Sequence, residues 1–138
     1  MKHYTIPLML CLVVSAGCAG HSPKLGVTDG RLKPCPSSPN CVNSQTQDNG
    51  HAIAPIAYEG AREEARKRLL TLLQQTKRAK IVVSEADYIR AEFRSAIFRF
   101  VDDVEFYFPE EAIIHVRSAS RVGYSDRSEE RRVGKECA

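Results

Sequence analysis

The sequence predicts a small two-layer α+β domain in which one main helix covers a four- to five-stranded antiparallel meander. Apolar residues recur with a helical period over residues 59–76, and from residue 80 to residue 118 they alternate with polar ones. The segments do not alternate as strand, helix and strand, so a doubly wound nucleotide-binding sheet is not expected. A chain of 138 residues has room for one such domain.

The helix has the clearest pattern of any element. Residues 59–76 begin with acidic side chains and are followed by two basic residues, which matches the polarity of the helix dipole. An apolar stripe on one side is expected to pack on the sheet, although a partner helix would suit the same stripe. The stripe consists of Ala61, Ala65, Leu69, Leu72 and Leu73.

Short alternating or β-branched segments follow the helix and predict the meander. In residues 88–94 the apolar positions alternate with charged ones, as expected for a strand with one buried face. Asp102 and Asp103 stand between two apolar segments, where we expect a turn. The predicted strands are residues 80–84, 88–94, 97–101, 104–108 and 112–118.

The N-terminus has the three regions of a secretory signal. Lys2 precedes an apolar run over residues 6–14, and small residues occupy positions 15–17 directly before Cys18. This ending resembles a bacterial lipobox, in which the cysteine thiol receives a diacylglyceryl group, with Ser15 where such motifs usually carry Leu. We therefore predict a lipoprotein signal peptide over residues 1–17, lipidation at Cys18, and attachment to a membrane by that lipid.

The leader also predicts the compartment, which is the bacterial cell envelope with the domain facing the periplasm. Ala19 follows the cysteine where an Asp would stand for inner-membrane retention, so by analogy with enterobacterial sorting the outer membrane is favoured. An ordinary cleaved leader and a simple transmembrane anchor are the alternatives. Residues 18–31 are polar and contain Gly and Pro, which predicts a tether before a single domain over residues 32–126.

Two of the five cysteines lie in the predicted domain over residues 32–126. Cys35 and Cys41 lie in a turn-rich loop with three prolines, and in an oxidising compartment a disulfide between them is the expected state. Zinc is the alternative, with His21 or His51 as further ligands, but the spacing of the cysteines is unlike that of common zinc sites. We expect no metal and no cofactor.

Charge argues against a nucleic-acid partner. The formal net charge is +3, and within residues 18–126 fifteen Lys and Arg residues face fourteen Asp and Glu residues. These charges are interleaved along the chain, whereas binding to a phosphate backbone usually needs a basic stripe.

Three segments of the chain resemble a bacterial family known only as domain-of-unknown-function family 1499. They are residues 34–45, 98–106 and 115–126, and they occur in the family's order. The resemblance implies an envelope protein, often lipidated, with relatives in plastids, and it implies no activity. Members usually continue with a basic amphipathic helix, whereas residues 127–138 here resemble a translated sequencing adapter. We interpret that segment as a non-native tail, with a genuine charged tail as the alternative, so the domain would lack its last helix.

The densest group of polar residues is the only candidate site. The arginines could form a pocket for an anion such as a phospholipid headgroup or a cell-wall fragment, with the acids available for proton transfer. A salt-bridged sheet face closed by the missing last helix is the favoured interpretation, because cross-strand ion pairs are common and no nucleophile–base pair accompanies them. The group consists of Arg94, Arg99, Asp102, Asp103, Glu105, Arg117, Ser118, Ser120, Arg121, Tyr124 and Asp126.

No catalytic residues are expected. A Ser–His–Asp arrangement could be drawn from Ser118 or Ser120 with His115 and Asp102, but no local signature supports it. The leading hypothesis is a non-enzymatic binding or assembly module with an envelope protein or lipid as its partner. The alternative is a hydrolase or transferase that acts on an envelope component through the Arg/Asp group.

Overall fold

The structure is a computed structural model that describes residues 23–97 and 100–122. The predicted signal peptide, Cys18 and the tail over residues 127–138 lie outside the described residues. The elements are β1 (Val27–Thr28), β2 (Arg31–Leu32), β3 (Cys41–Asn43), β4 (Ile56–Ala57), α1 (Arg62–Gln75), β5 (Ala79–Ser84), β6 (Tyr88–Arg94), β7 (Val101–Tyr107) and β8 (Ile113–Ser120).

The main sheet has six antiparallel strands, and β5 to β8 form a meander within it. This architecture confirms the predicted α+β class, but the sheet is larger than four to five strands. Its extra members are β3 and β4, which pair with different parts of the same edge of β8, Cys41 opposite Ala119 and Ile56 opposite Ile114. Segments of three and two residues are too short to show a periodic pattern, so the sequence did not reveal them.

The predicted turn at Asp102 and Asp103 is wrong. Both residues lie inside β7, which runs without a break and pairs with β6 on one side and β8 on the other. The reversal comes earlier, where the Ser95 amide donates to the Phe100 carbonyl over 2.9 Å and the Phe100 amide donates to Ser95 Oγ over 3.0 Å. Acidic side chains are tolerated within the strand because Asp103 has a cationic partner, described below.

The helix is shorter than the predicted span of residues 59–76. Gly60 has a left-handed φ of 87°, which helical backbone cannot accommodate, so the helix starts after the exposed N-cap residue Ala61. Of the predicted apolar stripe, Ala65 and Leu73 are buried, whereas the side chain of Leu72 is 62% exposed. The predicted apolar stripe is therefore correct for Ala65 and Leu73 and wrong for Leu72 and for the exposed N-cap residue Ala61.

The helix covers one face of the sheet and closes a continuous apolar core. Its buried side chains pack with residues from β6, β7 and β8, and Phe108 and Ile89 are completely buried there. Burial of such side chains contributes on the order of 2 kcal/mol each to stability. The core consists of Ala65, Leu73, Ile89, Ala91, Phe106, Phe108 and Ile114.

The N-terminal segment covers the opposite face of the sheet. β1 and β2 form a hairpin with a two-residue turn. The turn residues, Asp29 and Gly30, both have positive φ (51° and 71°), as in a type I′ turn. The Gly26 amide donates to Oε1 of Glu105 over 3.2 Å. Residues 23–31, which belong to the predicted tether, thus lie on the sheet and form a third layer of the domain.

Candidate functional site

The covered face of the sheet holds a group of charged side chains that we call the buried charged cluster. Its residues come from β6, β7 and β8, apart from Arg121, which directly follows β8. The antiparallel register places Glu105 between Arg90 and Arg117, and Asp103 between Glu92 and Ala119. Burial is nearly complete for the acids and for one arginine, because the N-terminal segment lies above them. The cluster consists of Tyr88, Glu92, Asp103, Glu105, Arg117 and Arg121.

Glu105 lies at the centre of one half of the cluster and is fully buried. Nη1 of Arg117 donates to Oε2 of Glu105 over 3.0 Å, and the Tyr88 hydroxyl donates to Oε1 over 2.8 Å. Together with the Gly26 amide, these donors give the carboxylate three partners. Burial, followed by the hydrogen bond to Glu105, raises the pKa of Tyr88 well above its usual range, so Tyr88 stays a donor at physiological pH.

Arg121 holds the other half of the cluster. Its guanidinium donates from Nε to Oδ2 of Asp103 over 2.7 Å and from Nη2 to Oδ1 over 2.9 Å, a two-pronged contact. The same Nη2 also donates to Oε1 of Glu92. The hydrogen bonds to Asp103 are the main reason that the pKa of Arg121 is raised, so this side chain is cationic throughout the physiological range.

The carboxylates of the cluster are all engaged in ion pairs. Glu92, Asp103 and Glu105 each accept from a guanidinium. Of the two interpretations, the salt-bridged face describes this arrangement, with the N-terminal segment rather than a lost helix as its cover.

Other members of the polar group predicted from the sequence do not join the cluster. Arg94 is exposed at the end of β6 and forms no ion pair with a described residue, and Asp102 and Ser118 occupy alternate positions that belong to the other face. Ser120 contacts the disulfide loop through its backbone, which pairs with Asn40. Arg99, Tyr124 and Asp126 lie outside the described residues.

Sequence reasoning missed Tyr88 and Glu92 as cluster members. Both have the strand parity of Arg90, which was expected to point away from the core into solvent. Arg90 instead donates from Nη1 to the Pro23 carbonyl over 3.0 Å, across 67 positions of sequence. The alternation of β6 identified the correct face, but no local pattern reveals that a distant segment covers it.

A polar crevice of about 580 Å³ lies beside the cluster, between the N-terminal segment and β8. Asp103, Arg117 and Arg121 contribute to its wall, and Lys33 also lines it. Nε of Arg117 and Oδ1 of Asn40 are buried without a hydrogen-bond partner among the described residues. Both atoms are withdrawn from solvent.

His115 has a serine partner, although not one of those considered from the sequence. Its Nδ1 lies 3.1 Å from Oγ of Ser44, which also accepts from the Val116 amide over 2.9 Å. The imidazole stacks on Tyr107, and burial lowers the pKa of His115. Ser118 belongs to the other face of β8, so the arrangement of Ser118 or Ser120 with His115 and Asp102 does not form.

The predicted disulfide between Cys35 and Cys41 is confirmed. His51, considered as a zinc ligand, has both ring nitrogens engaged, Nδ1 with Oδ2 of Asp48 at 2.7 Å and Nε2 with the Ser38 carbonyl at 3.0 Å. Within residues 23–97 and 100–122, no three Cys, His, Asp or Glu side chains are grouped as metal ligands would be.

Comparisons with known proteins give one match. A family model described as "Protein of unknown function (DUF1499)" matches residues 31–136, which is more than half of the chain. The match contains the disulfide loop and every strand of the main sheet. No curated protein and no solved structure matches the chain. In the part of the chain that the structure describes, no helix has the length and apolarity needed to span a membrane.

Proposed function

The chain belongs to the DUF1499 family of proteins of unknown function, and we propose that it is a lipid-anchored protein of the bacterial envelope whose domain serves as a binding or assembly module. Acylation at Cys18 would hold the domain at a membrane, facing the periplasm. The observation that carries the proposal is the position of Cys18 relative to the segment that docks on the domain.

Pro23 is five residues beyond Cys18 and is already fixed to the sheet by the hydrogen bond from Arg90. Five residues of fully extended chain span at most about 18 Å. A lipidated Cys18 would therefore keep the domain close to the bilayer, with the hairpin of β1 and β2 near the lipid headgroups. Such a short connection suits a protein that works at the membrane surface.

The charges of the described residues favour binding over catalysis. The acids that could serve a hydrolase or transferase are buried and paired with guanidinium groups. Buried ion pairs fix one arrangement of strands, and their desolvation makes them costly to open during a reaction. The cluster thus serves to hold the N-terminal segment on the sheet and to present the hairpin in one orientation.

Labelled palmitate fed to cells that express the full chain tests the anchor. We expect incorporation into the unmodified chain and none into Cys18→Ala. The matched control is Cys11→Ala, which changes the other cysteine of the leader and should retain the label. Label that persists in Cys18→Ala would refute the lipid anchor.

Photo-crosslinking in intact membranes tests the binding module. A photoreactive residue at Thr28, exposed on the hairpin, reports on the face next to the membrane, and one at Gln74, exposed on α1, reports on the opposite face. We expect a lipid or protein adduct of one discrete mass at Thr28 and none at Gln74. Equal, heterogeneous labelling at both positions would contradict a binding surface at the hairpin.

A further inference from the structure

An open cleft of about 840 Å³ lies between the β1–β2 hairpin and the loop that follows β3. Three of the residues that line it are cationic, Lys24, Arg31 and Lys33, and none is acidic. All three are exposed, and none forms an ion pair with a described residue. The cleft is therefore a local excess of positive charge on a domain whose charges are otherwise nearly balanced.

Hydrogen bonds from the side chains of Gln45 and Asn43 fix the shape of the cleft, and the charged groups of Lys24, Arg31 and Lys33 take no part in them. Gln45 accepts from the Leu32 amide over 2.8 Å and donates to the Gly30 carbonyl over 2.9 Å, so one side chain fixes both β2 and the turn of the hairpin. Asn43 donates to the Lys33 carbonyl over 3.1 Å. A site built in advance loses less conformational entropy when a ligand binds.

We propose that this cleft binds the phosphate group of an anionic phospholipid headgroup at the membrane to which the chain is attached. Lysine and arginine side chains that line one cleft without acids favour a phosphate, and two further lining residues, Thr46 and Gln47, offer hydrogen bonds. The lipid source of the phosphate rests on the proposed function, because Lys24 is only six residues from Cys18. The phosphate chemistry rests on the cleft alone.

Vesicle binding by the full chain carrying Cys18→Ala tests the inference without any contribution from acyl chains. The probe vesicles contain phosphatidylcholine with about 30 mol% phosphatidylglycerol, and phosphatidylcholine alone is the reference. The cleft variant replaces Lys24, Arg31 and Lys33 by Gln. A cation near an anionic surface contributes roughly fivefold to binding, so the cleft variant should lose about 100-fold in affinity for the anionic vesicles.

The matched control replaces Lys67, Arg68 and Lys77 by Gln. These three are also exposed, and the change in net charge is the same, but they lie on α1 and just after its end, and α1 covers the face of the sheet opposite to the N-terminal segment. Charges separated from the membrane by more than about 10 Å are largely screened at 0.1 M salt, so this control should lose less than about threefold. An equal loss in both variants would overturn the proposal, because it would show attraction by total charge alone.

Glycerol phosphate distinguishes a lipid source from a soluble one. We expect it to shift the amide resonances of Lys24, Arg31 and Lys33 saturably, and the cleft variant to show no such shifts. Shifts without selective vesicle binding would overturn the lipid headgroup as the ligand in favour of a soluble phosphate ester. The absence of both would overturn the phosphate site itself. Palmitate incorporation at Cys18 is measured separately, so failure of the anchor and failure of the cleft are distinguishable.

Discussion

Arg117 and Glu105 face each other across β8 and β7 and form an ion pair of 3.0 Å that is almost completely removed from solvent. The side chain of Glu105 has no exposed surface, and that of Arg117 is 5% exposed. A buried pair of this kind contributes little net stability compared with apolar residues of the same shape, yet it is costly to break from one side. This asymmetry makes the pair a sensitive test of the buried charged cluster.

Glu105→Gln should lower the free energy of unfolding by about 3 to 5 kcal/mol, because it leaves the Arg117 cation buried without a counter-charge. Urea denaturation followed by circular dichroism measures the change. The matched control is Glu110→Gln, which alters an exposed side chain and should change the free energy of unfolding by less than about 0.5 kcal/mol.

The double variant Glu105→Leu with Arg117→Met keeps the experiment informative if Glu105→Gln does not fold. Removal of both charges eliminates their desolvation cost, so part of the lost stability should return, while the Tyr88 hydroxyl and the Gly26 amide still lack their acceptor. A double variant as unstable as the single one would contradict the description of the pair as mutually compensating.

Arg121→Lys should lower the free energy of unfolding by about 2 kcal/mol. A lysine ammonium cannot reproduce the planar contact with both oxygens of Asp103 and also reach Glu92, so the nearly buried Asp103 loses a partner. Arg62→Lys is the control, since Arg62 forms only an exposed contact of 3.8 Å with Glu63. Equal effects of the two substitutions would argue against the two-pronged geometry.

The strand pattern of β6 shows what sequence reasoning could and could not predict. Ile89 and Ala91 were expected to face the core, and they are completely buried there. Glu92 was placed on the correct opposite face, but its burial beneath the N-terminal segment was not predicted, because alternation identifies a face and carries no information about what covers it. The cover is set by contacts such as that between Gly26 and Glu105, which are 79 positions apart.

The prediction of a turn at Asp102 and Asp103 was wrong for a physical reason. Two adjacent aspartates between apolar segments are typical of a turn, since their side chains accept from nearby backbone amides. Here Asp103 accepts from Arg121, which directly follows the neighbouring strand β8, so β7 can continue through the acidic pair. The disulfide was predictable because its partners are close in sequence and the expected compartment is oxidising.

The two histidines of the described domain should titrate on opposite sides of pH 6.5, the ordinary value. A hydrogen bond to Asp48 is the main cause that raises the pKa of His51, whereas burial lowers the pKa of His115. The stability that His51 contributes is fully present below its unfolded pKa and is lost as the pH rises through the folded pKa. For His115 the folded state prefers the neutral ring, so stability is lost as the pH falls through its folded pKa.

Unfolding free energies measured from about pH 5 to pH 8 separate the two contributions. In His51→Ala only the His115 effect remains, so stability should rise with pH across this range. In His115→Asn only the His51 effect remains, so stability should fall. Titration of the imidazole resonances in the unmodified chain checks the two midpoints directly, and a shared midpoint would contradict the assigned environments.

Replacement of Cys35 and Cys41 together by Ala should lower the free energy of unfolding by about 2 kcal/mol, since a loop of this length gains that much freedom in the unfolded chain. The loss should extend to the sheet edge, because Asn40 within the loop accepts from the Ser120 amide over 3.0 Å and donates to the Ser120 carbonyl over 2.9 Å. Hydrogen exchange of the Ser120 amide should therefore accelerate in the double variant, while that of Ala91, central in β6 and completely buried, should follow global unfolding only. Dithiothreitol should destabilise the unmodified chain to the same degree and leave the double variant unchanged. If reduction left the unmodified chain as stable as before, the loop would be held by its hydrogen bonds alone and the disulfide would have no structural role.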